Sequence, residues 1–407
     1  MKTFIKSTFI FLISFLFSNC GDKDSDYIDP RGKTYAGSIS CMECHQKIYT
    51  DALKSSHYQA SAPATIKNVL GNFNSGHNTF IYDKDTKIVM ENRNNKLFQV
   101  HYQNGKEVKA YPFGIVMGVK NAQTSMFWDK DNVYELPLSY YKSVNNWGTS
   151  PSYPINNPHF DRSITIGCFE CHGSHLELKH KNTEEENYFG TQEVLETMKR
   201  ESIVYGIDCE RCHGPALDHV NFHKKNPELK LAKYIVTHKS LNSSQKLARC
   251  VLCHSNKEKK QSLFQFLPGN TIADFYIESN QDSGAPLDVH GNQYGLLSQS
   301  KCFIESKTLD CISCHDPHTN ATESGSYYSQ KCMSCHSEVN KNFCTTKAPM
   351  GTTLKENCID CHMPKKESQA INFFLSGKSE TSAYLLRTHK IGVYPNENQK
   401  KGSKNGH

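Results

Sequence analysis

The most constraining feature of this sequence is a five-residue pattern, Cys-x-x-Cys-His, that occurs seven times among 407 residues. The composition predicts only about 0.03 chance copies of the pattern, so the repetition reflects one chemistry that is needed seven times. The copies are Cys41/Cys44/His45, Cys168/Cys171/His172, Cys209/Cys212/His213, Cys250/Cys253/His254, Cys311/Cys314/His315, Cys332/Cys335/His336 and Cys358/Cys361/His362.

This spacing is typical of covalent haem attachment. Two thiols separated by two residues can bond to the two vinyl groups on one porphyrin edge, and the adjoining histidine then reaches the iron. We therefore predict seven covalently bound haem c groups, with the seven motif histidines as proximal iron ligands. Zinc ribbons and thioredoxin-type pairs also use Cys-x-x-Cys, but they do not require an adjacent histidine in every copy.

The N-terminus predicts export. Lys2 and Lys6 precede an apolar run over residues 9–17, which is too short to cross a membrane, so residues 1–19 are typical of a secretory signal peptide. Ser18-Asn19-Cys20 resembles a relaxed lipobox, so we expect lipidation of Cys20, with a plain secretory signal as the alternative. Residues 20–30 would form a flexible tether, and the mature protein would be a periplasmic or cell-surface lipoprotein of the outer membrane.

Composition limits the core and the partners. Only 37% of residues are hydrophobic, so we expect the haems to supply much of the core and the apoprotein to be largely unfolded. The formal charge of +6 does not indicate nucleic-acid binding, because haem carboxylates offset it and no nucleic-acid fold signature is present. Lys257, Lys259 and Lys260 are interpreted as part of a solvated face.

The motifs are spaced unevenly, and the first stands far from the second. We expect a single-haem module over residues 31–70, a haem-free antiparallel β insert over 71–165, a six-haem domain over 166–395 and a flexible tail over 396–407. The insert contains NTFIY, KIVME, LFQVHYQ and KEVKAY, which alternate in polarity and are separated by turn residues. A helix is expected from Gln46 toward Ser61. The predicted fold class is mainly α with long irregular loops and one small β insert.

Several phrases resemble the multihaem cytochromes related to the tetrahaem electron carrier of ammonia-oxidising bacteria. YAGSISCMECHQKIYTDALKSSH (35–57) is similar to the opening haem module of that family, and GIDCERCHGPALDH (206–219) to its central one. LDCISCHDPH (309–318) and NCIDCHMP (357–364) are similar to later haem sites, and FLPGNTIADFY, QSKCF and LLRTHKIGVYP also match. The resemblance implies a haem-packed fold and electron transfer, with histidine on both faces of most irons.

The same resemblance implies distal iron ligands. The matching phrases point to His57, His219, His318 and His389. A second group of candidates comprises His175, His180 and His290, whereas His77, His101, His159, His223 and His238 are more simply surface or hydrogen-bonded residues. His407 belongs to the tail. Met117, Met126, Met198 and Met350 are alternative ligands whose default role is core packing.

Cys302 and Cys344 remain after haem attachment and lipidation. In an oxidising compartment a disulfide between them is the economical interpretation, and thiolate ligation of an iron is the alternative. The sequence departs from its relatives here, because no histidine lies between His336 and His362.

The function predicted first is electron transfer through mostly bis-histidine haems, between redox partner proteins and a terminal acceptor or donor. The second is an enzyme with one open haem that acts on a small nitrogen or sulfur compound. Its pocket would lie beside the isolated first haem and the aromatic β insert, which contains Trp128 and Trp147. A third is a subunit of a conductive haem filament.

Overall fold

The computed structural model describes residues 28–186, 192–255, 257–277, 286–344 and 355–394. The expected signal peptide, Cys20 with its tether, Met350 and His407 lie outside these ranges. In the described part of the chain, no helix is long and apolar enough to span a membrane.

The helices are short. They are α1 Met42–Ala52, α2 Ile166–His172, α3 Cys209–His213, α4 Leu217–Lys225, α5 Ser243–His254, α6 Gln293–Leu297, α7 Lys301–Glu305, α8 Gly325–Met333 and α9 Cys358–His362. Single 3₁₀ turns occupy Ser38–Cys41, His238–Ser240, Leu263–Gln265, Ile272–Asp274 and Cys311–Ser313. The first helix therefore begins before Gln46 and ends well before Ser61, which shortens the expected helix.

Within the described ranges, the strands are all paired antiparallel and form four sheets. They are β1 Ser61–Pro63, β2 Thr79–Ile81, β3 Thr86–Arg93, β4 Lys96–Gln103, β5 Lys106–Pro112, β6 Ile115–Met117, β7 Ala122–Asp129, β8 Asn132–Glu135, β9 Leu138–Tyr141, β10 Asn146–Thr149, β11 Gly173–Glu186, β12 Gln192–Tyr205, β13 Lys365–Phe374 and β14 Thr381–Arg387. One sheet has the order β2-β3-β4-β5, and a six-stranded sheet has the order β1-β6-β7-β9-β10 with β8 on β7. β11-β12 and β13-β14 are two-stranded hairpins.

The four alternating segments form the four-stranded sheet, as their polarity predicts. Two of its turns use residues that tolerate positive φ, Asn94-Asn95 at +50° and +64° and Asn104-Gly105 at +50° and +74°. Two such residues in succession fit the tight turns whose twist matches paired strands. The local sequence thus determines both the strands and their register.

Two clusters of buried side chains surround the six-stranded sheet. On one face, Phe80, Ile88 and Met90 of the four-stranded sheet pack with Leu138 and Trp147 of the six-stranded sheet. On the other face, a second cluster connects β6, β7 and β8 to α2 and the β11-β12 hairpin, and includes Met117, Met126 and Met198. These three methionines are therefore core residues, in agreement with their default interpretation.

The expected fold class, mainly α with one small β insert, is wrong. About 25% of the described residues are helical and 27% are in strands, and antiparallel sheets occur along much of the chain. The two hairpins β11-β12 and β13-β14 lie within residues 166–395, which were expected to contain helices and loops. Charged residues fill much of β11 and β12, so those segments carry a weak signal of apolar alternation, and the strands are stabilised by pairing across the hairpin.

Trp147 anchors the larger core cluster. It is 2% exposed, its ring centre lies 5.4 Å from that of Tyr140 and 5.8 Å from that of Phe73, and its indole nitrogen donates to the Asn72 carbonyl oxygen at 3.0 Å. Trp147→Ala is expected to lower the free energy of unfolding by about 3–5 kcal/mol, because it leaves a large cavity between two sheets. Denaturant unfolding followed by far-ultraviolet circular dichroism measures this loss.

The matched control is Val144→Ala in the neighbouring turn, since Val144 is 40% exposed. This change is expected to leave the unfolding midpoint close to that of the wild type. Equal effects of the two substitutions would contradict the assignment of Trp147 to the core.

Candidate haem-binding site

Each Cys-x-x-Cys-His motif lies in or beside a short helix. The helices α2, α3, α5 and α9 each end at the histidine of their motif. The other three motifs adjoin a 3₁₀ turn or a helix end. Helical backbone brings residues three and four apart onto one face, so both thiols and the imidazole point the same way. His45 departs from helical geometry, with φ −113° and ψ 37°, and marks a kink inside α1.

Four motif histidines face a second histidine from elsewhere in the chain. The ring centres of His45 and His219 are 6.4 Å apart, and those of His213 and His318 are 6.1 Å apart, with nearly parallel planes in both pairs. His254 faces His57 at 6.2 Å, and His315 faces His389 at 6.2 Å. The four distant partners are the four histidines that the family resemblance singled out.

This separation fits an iron between the two rings. A metal–imidazole bond is about 2 Å long and the ring centre lies about 1 Å behind the nitrogen, so a metal held from both sides requires about 6 Å. Directly stacked rings would be closer, as the Tyr111 and Phe160 rings are at 3.7 Å. The spacing therefore fits a haem iron with one histidine on each face.

Hydrogen bonds at Nδ1 orient several motif histidines and one of the histidines that face them. Nδ1 lies 2.8 Å from the Val236 carbonyl oxygen in His213, 2.7 Å from that of Lys233 in His219 and 2.8 Å from that of Gly392 in His362. An imidazole that donates from Nδ1 keeps Nε2 free as a ligand, which is the usual arrangement of metal-binding histidines.

Burial keeps the imidazoles neutral. It lowers the pKa of His254 to about 4, with the nearby His57 lowering it further, and it lowers the pKa of His389 to about 4, with help from His315. Burial likewise lowers the pKa of His172 and of His213. A neutral imidazole has the lone pair that a metal requires.

His290 lies near His172, the histidine of the second motif. The two imidazoles of His172 and His290 interact electrostatically, and His290 lies in a loop where its backbone nitrogen donates to Asp288 at 2.6 Å. Asp288 also accepts from the Ser368 hydroxyl at 3.0 Å, which connects the loop to β13. His290 is therefore the second-group candidate whose position best suits a distal role.

The other candidates are placed differently. His175 lies in β11 with its ring 5.7 Å from that of Phe264, while His180 belongs to the same strand but its side chain is outside the described part. His223 lies beside His219 at 4.6 Å, and His238 contacts Asp310 at 3.1 Å. The remaining weaker candidates are His77, which is exposed, and His101 and His159, which line a surface cleft on the β insert.

The sixth and seventh motifs differ from the others. Nδ1 of His336 lies 3.3 Å from the Asn342 carbonyl oxygen, so both His336 and His362 have the orienting contact. Among the residues that the structure describes, however, neither ring has a facing histidine. The described residues therefore place no second histidine opposite these two motif histidines.

Thiols of different motifs lie side by side. Pairs of cysteines within hydrogen-bonding reach are Cys41 with Cys209, Cys171 with Cys253, Cys250 with Cys311, and Cys332 with Cys358. The hydrogen bond from Cys41 lowers the pKa of the Cys209 thiol to about 7. The first motif is therefore next to the third, and the expectation of an isolated first haem is wrong.

The structure does not test haem attachment at any of the motif cysteines, but it shows that their exposure differs. Cys44 is exposed, because α1 turns most of its residues to solvent and buries only Tyr49, and Cys361 is half-buried in α9. By contrast, burial raises the pKa of the Cys168 and Cys212 thiols to about 11. Haem attachment stays a prediction from the motif at all fourteen cysteines, of which Cys44 and Cys335 lie at the surface.

Cys302 and Cys344 are both free thiols, so the expected disulfide is not formed in the structure. Burial raises the pKa of Cys302, and the neighbouring Cys335 contributes to the shift. Cys302 thus lies near the sixth motif.

A glycine allows the segment that carries His57 to approach the third motif. Gly206 has φ +66°, and a Cβ on it would lie 1.9 Å from the Tyr58 carbonyl oxygen. The Ile207 backbone nitrogen donates to the His57 carbonyl oxygen at 2.8 Å. Any side chain at position 206 would push His57 away, and this requirement appears only in three dimensions.

A buried ion cluster fixes the N-terminal segment to α3. The Arg31 guanidinium donates to Asp29 at 2.8 Å, to Asp208 at 2.8 Å and to Glu210 at 3.1 Å, and Asp208 also accepts from the backbone nitrogen of Arg211 at the start of α3. The side chains of Arg31 and its partners are at most 5% exposed. Removing the single cation would leave three buried carboxylates uncompensated.

Arg31→Ala is therefore expected to destabilise the protein by about 3–5 kcal/mol, measured by denaturant unfolding. Arg93→Ala is the control, because Arg93 binds Glu91 and Glu107 at the surface, where solvent screens the charges. A loss for Arg31→Ala no larger than that of the control would contradict a structural role for the cluster.

A second ion pair corrects the interpretation of Lys259 as part of a solvated face. Lys259 forms an ion pair with buried Glu170 of the second motif, and Glu170 also accepts from the Leu263 backbone nitrogen at 2.8 Å. Lys259 therefore stabilises the second motif.

Comparison with known proteins adds little. No model of a protein family matches the chain, and no curated protein matches it. The crystal structure of the outer cell wall cytochrome OcwA is similar over 91% of this chain and 75% of that chain, with 16% sequence identity and a TM-score of 0.42. A likeness of this strength carries no argument, and the resemblance to the tetrahaem carriers is not shown by these comparisons.

No group of three or more histidine, cysteine or carboxylate side chains suited to a metal ion occurs among the described residues. A haem iron needs only two ligands from the protein, because the porphyrin supplies four. The paired histidines fit that requirement, whereas a zinc site would need more protein ligands in one place.

Proposed function

We propose that this protein is an exported c-type cytochrome that binds seven haems and transfers electrons between redox partners. The observation that carries the proposal is the facing of motif histidines by distant histidines at 6.1–6.4 Å. When bound, haem supplies reversible one-electron exchange between Fe(III) and Fe(II).

The residues of the chain prepare such a site in three ways. Paired thiols in short helices are placed for attachment, imidazoles held by carbonyl oxygens are placed as ligands, and burial keeps those imidazoles neutral. We propose His57, His219, His318 and His389 as distal ligands for the fourth, first, third and fifth motifs, in that order, and His290 for the second motif.

Contacts between motifs support transfer from site to site. Cys41 contacts Cys209 and Cys250 contacts Cys311, while Cys212 interacts electrostatically with Cys250. The first, third, fourth and fifth motifs are therefore consecutive neighbours in space. This placement suits a carrier, because it keeps the attachment sites close together.

The N-terminal signal, the lipid on Cys20 and the outer-membrane location belong to the same proposal and rest on the sequence alone. Radioactive palmitate labelling tests the lipid, since an unlabelled mature protein would exclude it. We also propose redox proteins, or a terminal acceptor or donor, as partners.

The decisive experiment combines haem quantification with electron paramagnetic resonance of the oxidised holoprotein. Seven haems per chain are expected, and at least five of the irons should give low-spin signals. Protein from a host with working haem-ligation machinery that weighs no more than its processed amino acids would refute the proposal.

One observation favours a second candidate, a haem enzyme. Among the described residues, no histidine faces His336 or His362, so an open iron is best sought at the sixth or seventh motif. The sequence placed that iron at the first motif, where His219 faces His45, and the aromatic residue Trp147 belongs to the sheet core. A high-spin signal that responds to nitrite or hydroxylamine would favour this candidate.

A further inference from the structure

A buried polar cavity lies between the second and third motifs. It has a volume of about 110 Å³ and lies beside Arg211, Glu210 and Phe264, with His175 on the opposite strand β11. Arg211 occupies the second variable position of Cys209-Glu-Arg-Cys212, and His175 follows the second motif histidine by three residues. The cavity is large enough for a few water molecules or one small planar anion.

Arg211 brings a positive charge to this cavity without a matching carboxylate. The side chain is 8% exposed, its guanidinium lies 5.4 Å from the Phe264 ring centre, and Nη2 donates to the Glu170 carbonyl oxygen at 3.3 Å. Its Nε is buried and has no hydrogen-bond partner. Among the described residues no carboxylate forms an ion pair with Arg211, so this buried cation is left with one long hydrogen bond and the contact with the Phe264 ring.

His175 brings a second polar side chain to the cavity. Its buried Nε2 has only a long contact, 3.5 Å, with the Glu177 carboxylate. Buried polar groups without partners are rare in folded proteins and call for an explanation. The partnerless Nε of Arg211 therefore indicates a missing acceptor at this cavity.

The carboxylates beside the cavity are already used. Oε1 of Glu210 accepts from the backbone nitrogens of Ala36 at 2.9 Å and Ala216 at 2.8 Å. Its Oε2 accepts from the Gly37 backbone nitrogen at 2.9 Å and from Arg31 at 3.1 Å. Arg31 is itself matched by its three carboxylates. Among the residues that the structure describes, none is left to pair with Arg211, which favours an acceptor that is not part of the polypeptide.

We infer that this cavity binds a carboxylate or another small oxyanion through Arg211 and His175. A planar carboxylate matches the donor fork of a guanidinium, and burial strengthens such a charge-assisted contact. Two sources share this chemistry. One is a carboxylate of a haem attached at the second or third motif, which rests on the proposed function, and the other is a free oxyanion.

The test uses the holoprotein and its Arg211→Gln variant, with Arg200→Gln as the matched control. Arg200 lies on β12 outside the cavity, with its guanidinium 4.8 Å from the Trp128 ring centre. Sodium acetate and sodium nitrite serve as probes in titration calorimetry. Haem carboxylates labelled with ¹³C are followed by infrared difference spectroscopy.

A free oxyanion predicts saturable probe binding that is weakened about tenfold or more by Arg211→Gln and unchanged by Arg200→Gln. If the cavity holds a haem carboxylate, no probe binding is expected. One labelled carboxylate band should then shift in Arg211→Gln and not in Arg200→Gln. Absence of both effects would mean that the cavity holds only water, and would overturn the inference.

Two further measurements keep these outcomes distinct. Arg211→Lys retains the charge but lacks Nε, so it should give an intermediate effect and replaces Arg211→Gln if that variant does not fold. Haem quantification on every sample tests the proposed function separately, because a chain with seven haems and an unresponsive cavity would refute this inference alone.

Discussion

In the proposed seven-haem protein, replacing His57 by alanine is expected to convert one low-spin haem iron to high spin without loss of any attached haem. His57 faces His254 at 6.2 Å but takes no part in a Cys-x-x-Cys-His motif. Its loss would leave one iron with a single histidine, whereas the thioether bonds would hold the porphyrin. Electron paramagnetic resonance of the oxidised protein measures the new signal, and the reduced protein should bind one additional equivalent of carbon monoxide.

His77→Ala is the matched control, because His77 is an exposed histidine of the same N-terminal region and no motif histidine is paired with it. It should leave both the spectrum and the carbon monoxide stoichiometry unchanged. If His57→Ala behaved in the same way as His77→Ala, His57 would not be an iron ligand and its pairing with His254 would have to be abandoned.

Producing the chain without haem is expected to unfold one part of it and leave another part folded. The sheets have cores made of protein alone, which include Phe80, Ile88 and Leu138 at 0% exposure. Over residues 301–344, by contrast, no apolar side chain is buried, and Ile304 and Val339 are 66% and 90% exposed. Helices as short as α7 and α8 do not persist in water without packing.

Hydrogen exchange measured by mass spectrometry separates the two regions. In the haem-free chain, peptides from β3, β4 and β9 should stay protected, and peptides from 301–344 should exchange almost as fast as an unfolded chain. The haem-loaded protein should protect both regions. Equal protection of both regions in the haem-free chain would contradict a core that depends on haem. Equal loss of protection in both regions would agree with the expectation of a largely unfolded apoprotein.

The sequence predicted correctly those elements whose formation depends on residues close together in the chain. Strands β2 to β5 follow from alternation and from Asn and Gly turns, which act within a few residues. The attachment motifs likewise lie in or beside short helical turns, as their spacing requires. The β11-β12 and β13-β14 hairpins were missed because their strands are stabilised by cross-strand pairing more than by a buried apolar face.

The candidate haem site likewise has a part that the local sequence predicts and a part that depends on the tertiary structure. Two thiols for the vinyl groups and a histidine for the iron all lie within five residues, so the sequence by itself predicts where haem can attach and which histidine is proximal. Which distant histidine faces which motif depends on the tertiary structure: His57 reaches His254 only because Gly206 admits the Tyr58 carbonyl oxygen, and His219 reaches His45 only where α4 lies close to α1. Pairs so far apart in sequence are brought together by the packing of the whole chain, and no local pattern encodes that packing.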